Sequence, residues 1–96
     1  TGSIDRLVLG RNEILAIDFK TNSSAPDPES LGDQVPDYCA QMAIYADLLA
    51  AMFPEKAIRC GLFWTSLPRL DWISAPTLDE ARATLGLALD LGLAKA

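Results

Sequence analysis

The spacing of apolar and polar positions changes period several times along the chain. Residues 3–9 (SIDRLVL) and 13–20 (EILAIDFK) are rich in β-branched and aliphatic side chains. Gly10-Arg11-Asn12 between them is turn chemistry, so two strands joined as a hairpin are predicted. Residues 21–32 hold Asn22, Ser23, Ser24, Pro26, Pro28 and Ser30, the composition of a loop. From 35 to 53 the period becomes helical. Tyr38, Gln41, Tyr45, Leu48, Leu49 and Met52 fall on one stripe, Pro36 suits a first turn, and Pro54 stops the helix. Residues 57–65 (AIRCGLFWT) read as a buried strand, 66–68 as a turn and 69–74 as a fourth strand. Thr77 is the expected N-cap of a last helix over 78–91, with Glu80 in capping-box spacing and Gly92 just past its end. The order β-β-α-β-β-α predicts an α/β fold, a mixed central sheet flanked by helices, as a single domain over residues 1–96.

Composition removes several function classes. The chain of 96 residues has no histidine, so Ser-His, Cys-His and zinc-His chemistries cannot be completed within it. Thirteen acidic residues against eight basic ones leave a net charge of −5, whereas proteins that hold nucleic acid by counterion release carry a basic face. If the chain acts on DNA, most of the grip must come from elsewhere, and the expectation is a fragment of something larger. Cys39 and Cys60 stand in apolar settings without CxxC spacing, which predicts two buried, reduced thiols in a cytoplasmic protein. Apolar runs are broken by charge within a dozen residues, so no membrane span and no membrane partner are expected.

The first hairpin carries the candidate chemistry. If Arg11 and Asn12 are the two central turn residues, paired positions sum to 23 and Asp5 lies opposite Asp18. Lys20 then shares their face, because side chains alternate with period two. If Gly10 and Arg11 turn instead, Asp5 sits diagonal to Asp18 on the same side; a three-residue loop would split the carboxylates across the sheet. Ile4, Val8, Leu15, Ile17 and Phe19 fall on the opposite face, which is expected to be the core side. Two carboxylates placed opposite each other destabilise a sheet unless something neutralises them, and Mg²⁺ favours one or two carboxylates with water and phosphate oxygens. A lysine two residues after the second aspartate adds a point charge on that face.

These residues match a family. Gly2-Ser3-Ile4-Asp5-Arg6-Leu7 and Ile17-Asp18-Phe19-Lys20-Thr21 resemble the GxIDRL and IIDYKT motifs of the PD-(D/E)XK nuclease superfamily, RecB-like branch, and Gln41-Met42-Ala43-Ile44-Tyr45 resembles the helical third motif of that branch. The overall texture is similar to the C-terminal nuclease domain of helicase-nuclease subunits of the AddA type, which process double-strand breaks. The resemblance implies a restriction-endonuclease-like core and Mg²⁺-dependent hydrolysis of DNA phosphodiesters, with Mn²⁺ as a substitute. Asp5, Asp18 and Lys20 would be catalytic. Asp5, Asp18 and the main-chain carbonyl of Phe19 would ligate the metal, and Gln41, Tyr45 and Arg6 would contact the substrate.

It further implies that the rest of a helicase-nuclease chain and an AddB-like subunit are partners. The histidine that RecB-like nucleases usually carry upstream of the first motif is not in this chain, in keeping with an excised, C-terminal module. The other reading of Gln41 and Tyr45 is a capping glutamine and a core tyrosine on a buried stripe. Arg6 is either a phosphate contact or the partner of a neighbouring acid, and Trp64 and Trp72 are either stacking platforms or core. The competing functions are a non-catalytic docking module built on the same fold and a PD-(D/E)XK exonuclease unconnected to a helicase.

Overall fold

The computed structural model describes residues 5–21 and 26–90, with side chains to residue 86. Strand β1 (Arg6–Leu9) and strand β2 (Glu13–Lys20) form an antiparallel hairpin. Its pairs are Arg6 with Ile17, Leu7 with Ala16, Val8 with Leu15 and Leu9 with Ile14, so positions sum to 23 as expected. The Gly10 amide donates to the Glu13 carbonyl at 2.9 Å, closing a two-residue turn at Arg11 and Asn12. A Cβ at position 10 would meet that carbonyl oxygen at 2.9 Å, which is why a glycine stands there.

A 3-10 turn (Pro28–Ser30) and a short helix α1 (Leu31–Gln34) lead into α2 (Pro36–Met52), with Pro36 in its first turn. The segment expected to be loop is therefore partly helical, and its residues 22–25 lie outside the described ones. Strand β3 (Ala57–Trp64) pairs parallel with β2, and β4 (Arg69–Ile73) pairs antiparallel with β3. The four strands form one mixed sheet in the order β1-β2-β3-β4. The parallel step is the point where the chain must cross over, and α2 makes that crossover.

Helix α3 (Ala75–Asp90) begins three residues earlier than the sequence suggests. The Thr77 amide donates to Ser74 Oγ at 3.2 Å, so Ser74 rather than Thr77 is the cap. Ser74 supplies the oxygen that the first turn needs, and Pro76 loses nothing there because its missing N–H would have no intrahelical partner. Gly92, the expected stop, lies outside the described residues.

The core differs from expectation in its face. Ile14, Ala16, Cys60, Leu62, Trp64 and Ile73 are buried beneath Cys39, Met42, Ala43, Ala46 and Leu49 of α2, with Leu78 of α3 joining them. The core side of β2 is thus the side of Asp18 and Lys20. On the opposite side Leu15 and Ile17 are half-buried, while Val8 and Phe19 are 42% and 44% exposed. The stripe of α2 is shifted as well, because Leu48 and Met52 are exposed and Tyr38 and Tyr45 pack only at the core margin.

Both cysteines are buried free thiols. Trp64 is fully buried, whereas Trp72 lies half-buried on the outer sheet face with the Arg59 guanidinium 4.2 Å from its ring. No helix among the described residues is long and apolar enough to cross a membrane.

Candidate active site

Asp18 and Lys20 occupy the C-terminal end of β2, and the strand's alternation sends both toward the α2 side of the sheet. One step before β1, the hairpin register sets Asp5 opposite Asp18. The parity of the ladder matters here. Phe19 N–H donates to Asp5 Oδ2 at 2.8 Å, and Gly10 N–H donates to the Glu13 carbonyl at the turn. Continued one step past Arg6, the register would put Asp5 and Asp18 at a non-hydrogen-bonded position, the kind in which opposed side chains come closest. Their carboxyl groups lie within hydrogen-bonding reach of each other.

The environments of the two differ. Asp5 is exposed, whereas Asp18 is only 5% exposed. Burial raises the Asp18 carboxyl above the usual aspartate range, and the facing Asp5 adds to this. Asp5 is pushed the other way, because it accepts from the Asp18 carboxyl and then from the Phe19 amide. Lys20 Nζ lies 2.5 Å from Asp18 Oδ2 and opposes the rise.

Next to these groups stands a second polar cluster that the sequence reading did not foresee. In the sheet, Asp18, Leu62 and Asp71 form one row across β2, β3 and β4, and Lys20, Trp64 and Arg69 form the next. Asp71 is buried; it accepts from Trp64 Nε1 at 2.8 Å and from Arg69 Nη2 at 2.7 Å. Arg69 also donates to the Pro26 carbonyl at 2.5 Å, tying the loop before α1 to β4. The Arg69-x-Asp71 spacing on a strand was the available signal, since period two puts both on one face.

Tyr38 is the second residue missed. Its ring centroid lies 3.8 Å from Lys20 Nζ, and the ring leans on Trp64 with centroids 6.3 Å apart and planes at 45°.

The remaining expected residues are spread out. Arg6 pairs with Ile17 and so projects from the face opposite Asp5 and Asp18. Tyr45 lies seven residues beyond Tyr38, roughly 10 Å along the helix axis, and packs against the core. Gln41 is half-buried one turn after Tyr38. A cleft of about 450 Å³ between α1, α2 and α3 is lined by Asp33, Asp37 and Glu80 and has the wrong sign for a phosphate backbone.

The carboxylate pair suits a hard divalent cation in donor type and charge. No group of three or more His, Cys, Asp or Glu side chains is placed to hold a metal among the described residues, so water, main-chain or substrate oxygens would complete the shell.

A mixed sheet flanked on its buried side by helices, with two carboxylates and a lysine converging at a strand end, has the architecture of a restriction-endonuclease-like nuclease core. A family profile described as the PD-(D/E)XK nuclease superfamily matches residues 1–88. The chain belongs to the PD-(D/E)XK nuclease superfamily, whose members are generally metal-dependent nucleases. No curated protein and no solved structure matches it.

Proposed function

We propose that the chain is the catalytic core of a Mg²⁺-dependent deoxyribonuclease acting as the exonuclease module of a helicase-nuclease that processes double-strand breaks. The observation that carries this reading is the opposition of Asp5 and Asp18 with the Lys20 ammonium 2.5 Å from Asp18. In this reading Asp5, Asp18 and the Phe19 carbonyl hold Mg²⁺ or Mn²⁺, which when bound activates a water and stabilises charge on the attacked phosphate. Asp5 is steered by the Phe19 amide. Lys20 acts as a fixed point charge beside the attacking water and the developing phosphate charge. Gln41 and Tyr45 line the approach of the DNA strand. Arg6, on the opposite face, is given no part at the reacting centre. The net charge of −5 supports a division of labour in which the rest of a larger cytoplasmic protein, with an AddB-like subunit, grips the DNA.

The test is replacement of Asp18 or Lys20 by alanine in the intact protein. Cutting is expected to fall at least about 10²–10³-fold while unwinding continues. Persistent cutting in both variants would remove the chemistry. The same acidic balance favours one competing reading, a docking module without catalysis. A chain that binds no Mn²⁺ at millimolar concentration in the presence of DNA would support that reading.

A further inference from the structure

Lys20 is held by two unlike partners. One is the Asp18 carboxylate at 2.5 Å; the other is the face of Tyr38, 3.8 Å from Nζ to the ring centroid. The two respond differently to a cation. Any divalent ion that takes up the charge of Asp18 weakens the ion pair with Lys20, since the carboxylate then serves two positive groups. The ring face is untouched by that competition, because its attraction for an ammonium comes from a fixed quadrupole. A lysine stem has many rotamers, and a catalytic point charge that drifts loses most of its value.

The ring is itself braced. Tyr38 sits in the first turns of α2, which Pro36 starts, and tilts against the fully buried Trp64. The Trp64 indole N–H is fixed by Asp71, and Asp71 is gripped by Arg69. A continuous path of packed and hydrogen-bonded groups thus runs from β4 to the ammonium.

We propose that Tyr38 is a positioning residue for Lys20, its ring face keeping the ammonium at the reacting centre when the charge of Asp18 is engaged by metal. The proposal rests on Lys20 being the catalytic lysine. The part of Tyr38 that meets the Lys20 ammonium is its ring face.

The experiment uses the intact protein with Tyr38→Phe, Tyr38→Leu and a series of progressively fluorinated phenylalanines at position 38, which keep the shape and weaken the quadrupole. Tyr38→Phe is expected to cut DNA within about twofold of wild type, and Tyr38→Leu to lose roughly tenfold in kcat at unchanged KM. The fluorinated series should fall in steps with ring electrostatics. A second readout needs no metal and no turnover. The Cε protons of Lys20 should resonate upfield in the metal-free protein, through the ring current, and return to the ordinary lysine position in Tyr38→Leu.

Equal activity across the fluorinated series, in an enzyme that Lys20→Ala still silences, would overturn the proposal and leave the nuclease reading intact. An unshifted Lys20 resonance in the wild type would overturn it too. Undiminished cutting by Lys20→Ala would instead remove the reading on which the proposal stands.

Discussion

The carboxyl groups of Asp5, just before β1, and Asp18, near the end of β2, meet within hydrogen-bonding reach, one exposed and lowered in pKa, the other buried and raised. The opposed shifts make the pair a site that is uncomfortable when both are ionised. For Asp18 the sign follows from its raised folded value. Its contribution to stability is fully present below the ordinary aspartate value of about 3.9 and is lost as pH rises through the elevated one. Asp5, lowered, contributes above the ordinary value and loses that contribution as pH falls.

Removing the buried charge should therefore stabilise the metal-free chain. Asp18→Asn is expected to unfold at higher urea than wild type at pH 7, with the advantage shrinking as pH approaches 4. Millimolar Mn²⁺ should raise the midpoint of wild type by mass action and leave Asp18→Asn unmoved. Denaturation curves with and without metal check both. An Asp18→Asn chain less stable than wild type at pH 7 and equally responsive to Mn²⁺ would contradict the geometry.

The register of the turn should be as important as the side chains themselves. A two-residue turn at Arg11 and Asn12 keeps Asp5 and Asp18 on one face, and an extra residue changes the parity. One glycine inserted between Arg11 and Asn12 is expected to abolish Mn²⁺ binding, while the same insertion in the 66–68 turn preserves it. Isothermal titration of the two variants, with circular dichroism to verify folding, makes the comparison.

The hairpin was legible in the sequence because a turn is local and Gly10-Arg11-Asn12 announces one; of the registers that segment allows, the structure has the turn at Arg11 and Asn12. The facing of the sheet was not legible. Strand β2 is apolar on both sides, with Ile14 and Ala16 on one and Leu15, Ile17 and Phe19 on the other. Period two gives alternation without sign, and the larger set pointed to the wrong face as core. The small Ala16 instead lies beneath α2, which brings Met42, Ala43 and Ala46 against the sheet.

Helix α2 posed the same problem in a 3.6 period. With Cys39, Ala40, Met42, Ala43, Ile44, Tyr45, Ala46, Leu48 and Leu49 it is apolar nearly all round, so its buried stripe was misplaced by one residue. Tyr38 was invisible for a further reason: its contacts with Lys20 and Trp64 join elements far apart in the chain. The Trp64–Asp71–Arg69 cluster is local to the β3–β4 hairpin, and only the Arg69-x-Asp71 spacing hinted at it.

The Asp71 cluster should bear weight in the fold. Asp71→Ala strands the buried Trp64 N–H and is expected to cost about 1–3 kcal/mol, with little added by Arg69, which keeps access to water. Asp71→Asn retains an oxygen that can accept from Trp64 and should cost clearly less. Urea unfolding followed by tryptophan fluorescence separates the two. Equal stability of both variants and wild type would show that Trp64 finds another acceptor.

The buried thiols set the alkaline limit of the fold. Burial pushes Cys60 up to about 11, with Arg82 pulling slightly the other way, and burial raises Cys39 as well. The unfolded chain releases these protons first, so the stabilisation they provide is fully present below the ordinary thiol value and disappears as pH rises through the folded one. Stability should thus decline between about 8.5 and about 11. Cys60→Ala removes the largest contribution. It is expected to be less stable at pH 7, because a core side chain packed under α2 is truncated, yet to lose less on going to pH 10 than wild type does. Iodoacetamide should label neither cysteine in the native protein at pH 8 and both in urea. Rapid native labelling of Cys60, or parallel pH curves for wild type and Cys60→Ala, would place that thiol in solvent and contradict the packing of β3 against α2.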